Sequence, residues 1–346
     1  MVTIGLCPSN PDAMRLIAFL IALCLAAPAA AAPHVDLVVV GPGDDVFTLY
    51  GHAGMLVRPA ASTPLEQGTL YNFGITSFDR PNYVRDFLTG RVEFWGKPQN
   101  FDRNLARWRK EDRTVVRYPL NLPAPQAAWL AERLAYVTTP ERRNFVYDTF
   151  RRNCATWLRD LVDEATGGAV YAAVGDAHTE YSYRDDVRAA YAGQPVLLLM
   201  TEVVPGVELD RPRTLWERAY LPAHLAEAFG RVTLNDAEGE RPLLGEPEVL
   251  LTRAGPDPRE GSPRRAQVFL VVLAVVLAGM ALVIGRLGPR WRGAVLAVYA
   301  LGAGALGTVL AVVGATSDWP DMQHNWLLLA VVPLDVFLLW PAVRLI

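Results

Sequence analysis

The stretch YDTFRRNCATWLRDLVDEA, residues 147–165, decides how the chain is read. After Asn153, a residue type that favours the helix N-cap, apolar residues fall at 157, 158, 161 and 162, the spacing of one helical face. The pattern predicts a helix over Cys154–Ala165 with the cysteine in its first turn. There the partial positive charge of the helix start lowers a thiol pKa, and free backbone N–H groups can receive a developing oxyanion. A cysteine kept only for packing has no need of that position. The local sequence therefore predicts a nucleophilic thiolate at Cys154.

The rest of the cysteine inventory strengthens the point. The chain has three cysteines, and Cys7 and Cys24 lie in its first 32 residues. Residues 14–32, MRLIAFLIALCLAAPAAAA, carry Arg15 as a positive n-region, an apolar h-region from Leu16 to about Ala26 and small residues around Ala29–Ala32. That is the pattern of a secretory signal peptide over residues 1–32, with Met14 as an alternative start. A lipoprotein signal ending at Cys24 is disfavoured by the bulky Leu23 before it. Export would leave Cys154 as the only cysteine of the mature chain, without an intramolecular disulfide partner in an oxidising compartment.

Two uncharged apolar runs near the carboxy terminus, 266–285 and 293–314, have the length of membrane-spanning helices. A third, 326–343, is interrupted by Pro333, Asp335 and Pro341 and is expected to span or to re-enter. Between the first two lies Arg286-Leu287-Gly288-Pro289-Arg290-Trp291-Arg292, whereas the second connection, 315–325, carries Asp318 and Asp321 and neither Lys nor Arg. The positive-inside rule puts the first connection in the cytoplasm and residues 33–260 outside, in agreement with the export signal. Arg259, Arg264 and Arg265 on the outer flank run against the rule. Trp319, Trp326 and Trp340 are expected to mark membrane interfaces.

The intervening domain, 33–235, reads as α+β, with strands at 35–40, 53–57, 69–73, 92–95 and 114–118 and helices at 126–137, 154–165 and 215–229, the last interrupted at Pro222. Residues 236–265 are rich in Pro, Gly and charge and read as a terminal strand or loop followed by a linker into the membrane region, 266–346. With 33 basic and 36 acidic side chains the net charge is −3, so no basic nucleic-acid surface is expected. No cysteine–histidine cluster with zinc spacing appears, and no metal or cofactor is expected.

A thiolate nucleophile needs an imidazole to carry protons and a polar group to hold that imidazole. Of the five histidines, His52 alone stands between glycines at the entry to an apolar strand, GHAGMLV. His34, His178, His224 and His324 lie at the mature start, in a polar loop, on a later helix and beside the third apolar run. Asn72, in the next strand, would lie beside His52 if the two strands pair, since paired strands run about 4.8 Å apart. Asp79 is the alternative third member.

The strings GHAGMLV, LYNFGITSFDRPNYVRDFLTGRVEFW and YDTFRRNCATWLRDLV, in this order, resemble the Lnb family. The resemblance continues through SYRDDV, VELDRPRTLWERAYLPAHL and HNWLLLAVVPLDVFLLW, and so covers most of the chain. It implies a circularly permuted papain-like domain of NlpC type followed by a small bundle of transmembrane helices. Papain order is Cys, His, Asn; permutation gives His, Asn, Cys, the order of His52, Asn72 and Cys154. The resemblance also implies a basic residue at position 157, where this chain has Trp157.

What the resemblance implies for function is lipoprotein N-acylation at the bacterial inner membrane. Cys154 would accept an acyl chain from a membrane phospholipid and pass it to the α-amine of a diacylglyceryl-cysteine lipoprotein, with His52 as base. Three other readings compete: a papain-like cell-wall amidase or peptidase, a phospholipase or thioesterase, and an exported binding module with Cys154 buried. Asn153, Arg184, Asn325 and Asp335 are candidate substrate-binding groups. Arg184 suits a phosphate, although an ordinary surface ion pair is the commoner fate, and Asp335 is an acid inside an apolar run.

Overall fold

The strand β1 (His34–Val40) reads HVDLVVV and β2 (His52–Arg58) reads HAGMLVR, and both are buried over most of their length. Strands covered on both faces lose the apolar–polar alternation of a half-exposed sheet. A computed structural model describes residues 32–236, 239–286 and 288–345. Residues 1–31, where the signal segment is expected, lie outside the described residues.

The two strands pair antiparallel, from His34 opposite Arg58 to Val40 opposite His52. Next comes β3 (Thr69–Ile75), with Asn72 opposite Gly54. It pairs with β4 (Glu93–Asn100) through a register shift between Asn72 and Ile75. The strands β5 (Val115–Pro119), β6 (Asn144–Val146) and β11 (Glu248–Leu251) complete a seven-stranded antiparallel sheet in the order β11-β5-β1-β2-β3-β4-β6. Two ribbons stand apart, β7 (His178–Ser182) with β8 (Pro212–Thr214), and β9 (Thr233–Asp236) with β10 (Gly239–Pro242). The Pro- and Gly-rich stretch after residue 236 thus supplies an edge strand of the main sheet, and the tether to the membrane region shortens to 252–264.

The helices of the exported domain are α1 (Tyr83–Leu88), α2 (Phe101–Lys110), α3 (Ala124–Val137), α4 (Cys154–Ala165), α5 (Ala169–Val174), α6 (Tyr183–Ala190), α7 (Pro195–Val203), α8 (Leu215–Arg218) and α9 (Pro222–Gly230). On one sheet face Leu37, Met55 and Phe73 pack with Leu130 of α3, Leu158 and Leu161 of α4 and Phe229 of α9. On the other, Val38, Leu56 and Leu70 meet Phe101 and Trp108 of α2. Each such side chain contributes roughly 1.5–3 kcal/mol on burial, which makes the sheet a firm platform for groups at its strand ends. The helix α2 escaped the sequence reading because FDRNLARWRK buries only Phe101, Asn104 and Trp108, and an Asn100 side chain accepting the Arg103 N–H starts it.

Beyond the tether, α10 (Arg265–Ile284) and α11 (Pro289–Thr316) are long and apolar enough to cross a membrane. The third apolar stretch, Pro320–Leu345, also has that length, but it is built from successive 3-10 turns before α12 (Leu339–Leu345). Its proline-broken backbone lies directly on α11, where a Cβ at Gly307 would stand 2.6 Å from the Val332 carbonyl carbon. Irregular backbone at membrane depth is tolerated where protein covers it, and the small residues of α11 provide that cover.

Candidate active site

At the start of α4 the Asn153 side chain accepts hydrogen bonds from the Ala155 and Thr156 N–H groups at 2.9 and 3.0 Å. The Thr156 hydroxyl closes the box by accepting from the Asn153 N–H at 2.8 Å. The Asn153 amide donates to the carbonyls of Thr149 and Tyr220, both at 2.9 Å. Every polar atom of this side chain is therefore engaged in fixing the helix start, and Asn153 is a positioning residue rather than a substrate ligand.

Cys154 follows, half-buried and free. Burial pushes its thiol pKa up, while the N–H groups of Ala53, Ala155 and Cys154 itself and the charge of Arg113 pull it down. Burial wins, so the resting group is a thiol, and the thiolate expected from the helix start alone is corrected. The helix-end field is real, but half-exposed helix termini stabilise a charge by only about 1 kcal/mol, less than desolvation of a sulfur anion costs. The Ala53 N–H belongs to the residue after His52, which puts the sulfur at the head of β2. The chain of β3 also comes close: a Cβ on Gly74, whose φ is +87°, would lie 3.7 Å from the Cys154 Cβ.

His52 opens β2. Its Nε2 lies 2.9 Å from Asn72 Oδ1. The Asn72 amide nitrogen in turn donates to Gln99 Oε1. That second bond sets the amide orientation, so Asn72 presents its oxygen to the ring and the Nε2 must be the protonated nitrogen. Nδ1 is then left with its lone pair, able to accept a proton. The sequence of β2 makes the contact feasible, because a Cβ on Gly54 would stand 2.9 Å from Asn72 Oδ1. Burial pushes the His52 pKa down to about 4; the bond to Asn72 opposes this, and the charges of Arg113 and Arg107 add to it. At neutral pH the imidazole is neutral and oriented, and the thiol meets the N–H of the residue that follows His52.

Three further groups bear on the cluster and escaped the sequence reading. Gln99, in β4, is the diagonal neighbour of Asn72, two residues beyond its partner Lys97. Arg113, buried after α2, anchors the β1–β2 loop through Nε to the Gly41 carbonyl at 2.9 Å. Tyr147 holds its phenol proton well above the usual range, first because it is buried and then because charge on Cys154 opposes its ionisation. Its phenol stays protonated at every physiological pH.

The other candidates are placed elsewhere. Asp79 is exposed in the segment after β3, and the imidazole partner is Asn72. Arg184 is buried rather than at the surface, and it binds Asp210 at 2.7 Å and the Gly206 carbonyl at 2.8 Å as well as the Thr201 carbonyl. With its donors spent on α7 and the segment after it, Arg184 is a strap, and the phosphate role is withdrawn. Asn325 donates to the Val203 and Val204 carbonyls at 2.7 and 3.0 Å and caps the turn behind it. Asp335 accepts the Val332 N–H at 2.9 Å and starts a 3-10 turn. Trp157, at the position where a basic residue is implied, stacks on Phe73 at 5.1 Å and meets Phe145 edge-on, which makes it part of the core.

The membrane region touches the site through the connection 317–325. Arg151, three residues before Cys154, forms a two-pronged bond to the buried Asp321. Arg91 binds Asp318 at 2.9 Å, and the Gly206 N–H donates to the Asp321 carbonyl at 2.7 Å. The connection thus lies on the same side of the membrane as the exported domain, as the charge asymmetry predicts.

These features define a class: a membrane protein with a periplasmic α+β domain in which an amide holds an imidazole on the strand whose next N–H meets a thiol at the head of a helix. Residues 28–192 match the family model described as the Lnb N-terminal periplasmic domain, so this part of the chain is an Lnb periplasmic domain. The match includes His52, Asn72 and Cys154. No curated protein and no solved structure matches the chain.

Proposed function

We propose that the protein is a thiol acyltransferase of the bacterial inner membrane, with a circularly permuted papain-like domain acting on lipids at the outer face. Cys154 is the nucleophile, His52 the base and Asn72 the group that orients it. The observation that carries this reading is the 2.9 Å bond from His52 Nε2 to Asn72 Oδ1 at the strand end whose next N–H points at the Cys154 sulfur. The Lnb periplasmic domain and the fastening of the Arg151 loop to a membrane connection support a lipid substrate over cell-wall peptide.

The chemistry follows from two neutral partners. As Sγ attacks the ester carbonyl of a phospholipid, its proton moves to His52 Nδ1, and the imidazolium formed is held by Asn72. The Cys154 N–H at the helix start would receive the oxyanion, with the Tyr147 hydroxyl as a second donor. The C–O bond breaks, the imidazolium returns its proton to the departing lysophospholipid oxygen, and an acyl thioester remains. The α-amine of a diacylglyceryl-cysteine lipoprotein then attacks the thioester carbonyl, its proton passes to His52, and that proton returns to the sulfur as the C–S bond breaks. Two-step transfer of this kind gives ping-pong kinetics.

The test is mass spectrometry of lipoproteins from a host stripped of its own N-acyltransferase. The wild-type chain should yield N-acylated lipoproteins and an acyl adduct on Cys154. Cys154→Ser should lower the rate by roughly 10⁴-fold, the scale of losing one member of such a triad. Persistence of the free α-amine with the wild-type chain would remove the function, and lysophospholipid release without an acylated lipoprotein would point to a hydrolase.

A further inference from the structure

The exported domain has an exposed apolar row that begins where the chain leaves the membrane. The spanning helix α11 ends at Thr316, and within three residues Trp319 buries its ring edge-on against Phe87 of α1, with centroids 5.1 Å apart. The Asp318 N–H donates to the Thr89 carbonyl at 2.9 Å, and Arg91 binds the Asp318 carboxylate. At no more than about 3.6 Å per residue, these bonds hold α1 within a short reach of the end of a membrane span.

From Phe87 the aromatic rings continue in sequence: Tyr83 at 6.3 Å, Phe78 a further 5.2 Å on, and Phe47 4.5 Å beyond that. Their exposure rises along the row. Trp319 is 6 % exposed, whereas Phe78 is 51 % and Phe47 59 % exposed, and Val84, three residues before Phe87 on the same helical face, is 69 % exposed. Phe47 sits in the loop that leads into His52. A second attachment, α7 packed on α10, fixes the domain independently against the first span.

We propose that Phe47, Phe78 and Val84 form a bilayer-contact surface that rests in the interfacial layer of the outer leaflet. Contiguous exposed apolar side chains mark a binding surface. Their continuity with the end of α11 identifies the occupant as lipid, and wholly apolar side chains such as phenylalanine and valine gain by burying their area at the headgroup–acyl boundary. The contact sets the height of the His52 loop above the membrane. It is independent of the acyl-transfer reading, since it rests on attachment and exposure alone.

The test uses the full chain with Cys7, Cys24 and Cys154 replaced by Ser, and with single cysteines introduced as Phe47→Cys, Phe78→Cys or Val84→Cys. Tyr136→Cys and Tyr171→Cys serve as exposed controls. Each is labelled with an environment-sensitive fluorophore and reconstituted in phosphatidylethanolamine–phosphatidylglycerol vesicles containing a lipid with a nitroxide near the headgroup. Quenching at least about twofold stronger at 47, 78 and 84 than at the controls, with blue-shifted emission, is expected for interfacial residence. Quenching equal to the controls with free access to aqueous iodide overturns the proposal. So does protection from iodide without nitroxide quenching, which would mean a protein partner or a second copy covers the row. The three positions are read separately, so the failure of one variant to fold leaves two.

Discussion

Asn72 is held between a donor and an acceptor, and this makes Gln99 matter to a reaction it never touches. Removing the glutamine carbonyl frees the amide of Asn72 to turn and offer its NH₂ to the ring, which favours the wrong tautomer of His52. Gln99→Leu should lower kcat by about tenfold, the worth of roughly one hydrogen bond, and leave KM nearly unchanged. Steady-state kinetics on a fluorescent phospholipid donor checks this. The depressed His52 pKa predicts a second outcome. The base works only when neutral, so kcat/KM should hold its plateau down through pH 6.5 and fall with an acid limb near pH 4. Asn72→Asp should move that limb upward, because a carboxylate favours the imidazolium. The same shift enters stability: the folded pKa lies below the unfolded value of about 6.5, so its contribution is complete above that pH and is lost as pH falls toward 4. Denaturant titrations of wild type and His52→Gln across this window should converge at acid pH if His52 is the source.

Among the elements, α4 and the connection 317–325 decide where the sulfur stands. The cap at Asn153 joins the helix start to the Tyr220 carbonyl, so Asn153→Ala should cost about 1–2 kcal/mol in thermal or denaturant unfolding. Arg151 and Asp321 form a pair whose carboxylate is 1 % exposed. Arg151→Met leaves that charge without its partner, and the chain should lose roughly 3 kcal/mol. The double variant Arg151→Met, Asp321→Leu should recover most of it, because an apolar pair of similar volume removes the buried charge altogether. Recovery of stability without recovery of activity would assign the pair to placing the cysteine loop against the membrane connection.

For the whole molecule the arrangement in the membrane is the quantity to test. The second connection is bonded to the exported domain at Asp318, Asp321 and Asn325, so His324 must share a side with Cys154, and Arg290 must lie opposite. In intact cells a membrane-impermeant maleimide should label His324→Cys and spare Arg290→Cys, both in a cysteine-free background. The reverse pattern would contradict the charge asymmetry and the contacts together. The third apolar stretch has a separate sensitivity. Gly307→Val would press a branched side chain into the Val331–Pro333 backbone, and proteolysis in detergent should show that segment released while the exported domain stays resistant.

Much of this was legible from residue order because it depends on local patterns. The helix at 154–165 follows from its apolar spacing and its cap. The five early strands follow from β-branched runs between turns, and the spans from uninterrupted apolar length. The proposed pairing of Cys154 with His52 comes from chemistry and from resemblance to the Lnb family, as the two residues type for type suit each other. Three things were not readable. The register that sets Asn72 opposite Gly54, and Gln99 diagonal to Asn72, depends on how two loops close. The fates of Arg184, Asn325 and Asp335 depend on backbone carbonyls and N–H groups that every residue carries and no side-chain letter reveals. The protonation state of Cys154 turns on burial, a property of the packed sheet and its helices that outweighs the local field of the helix start. Local periodicity is written along the chain, whereas desolvation and cross-strand contact are created only when distant segments meet.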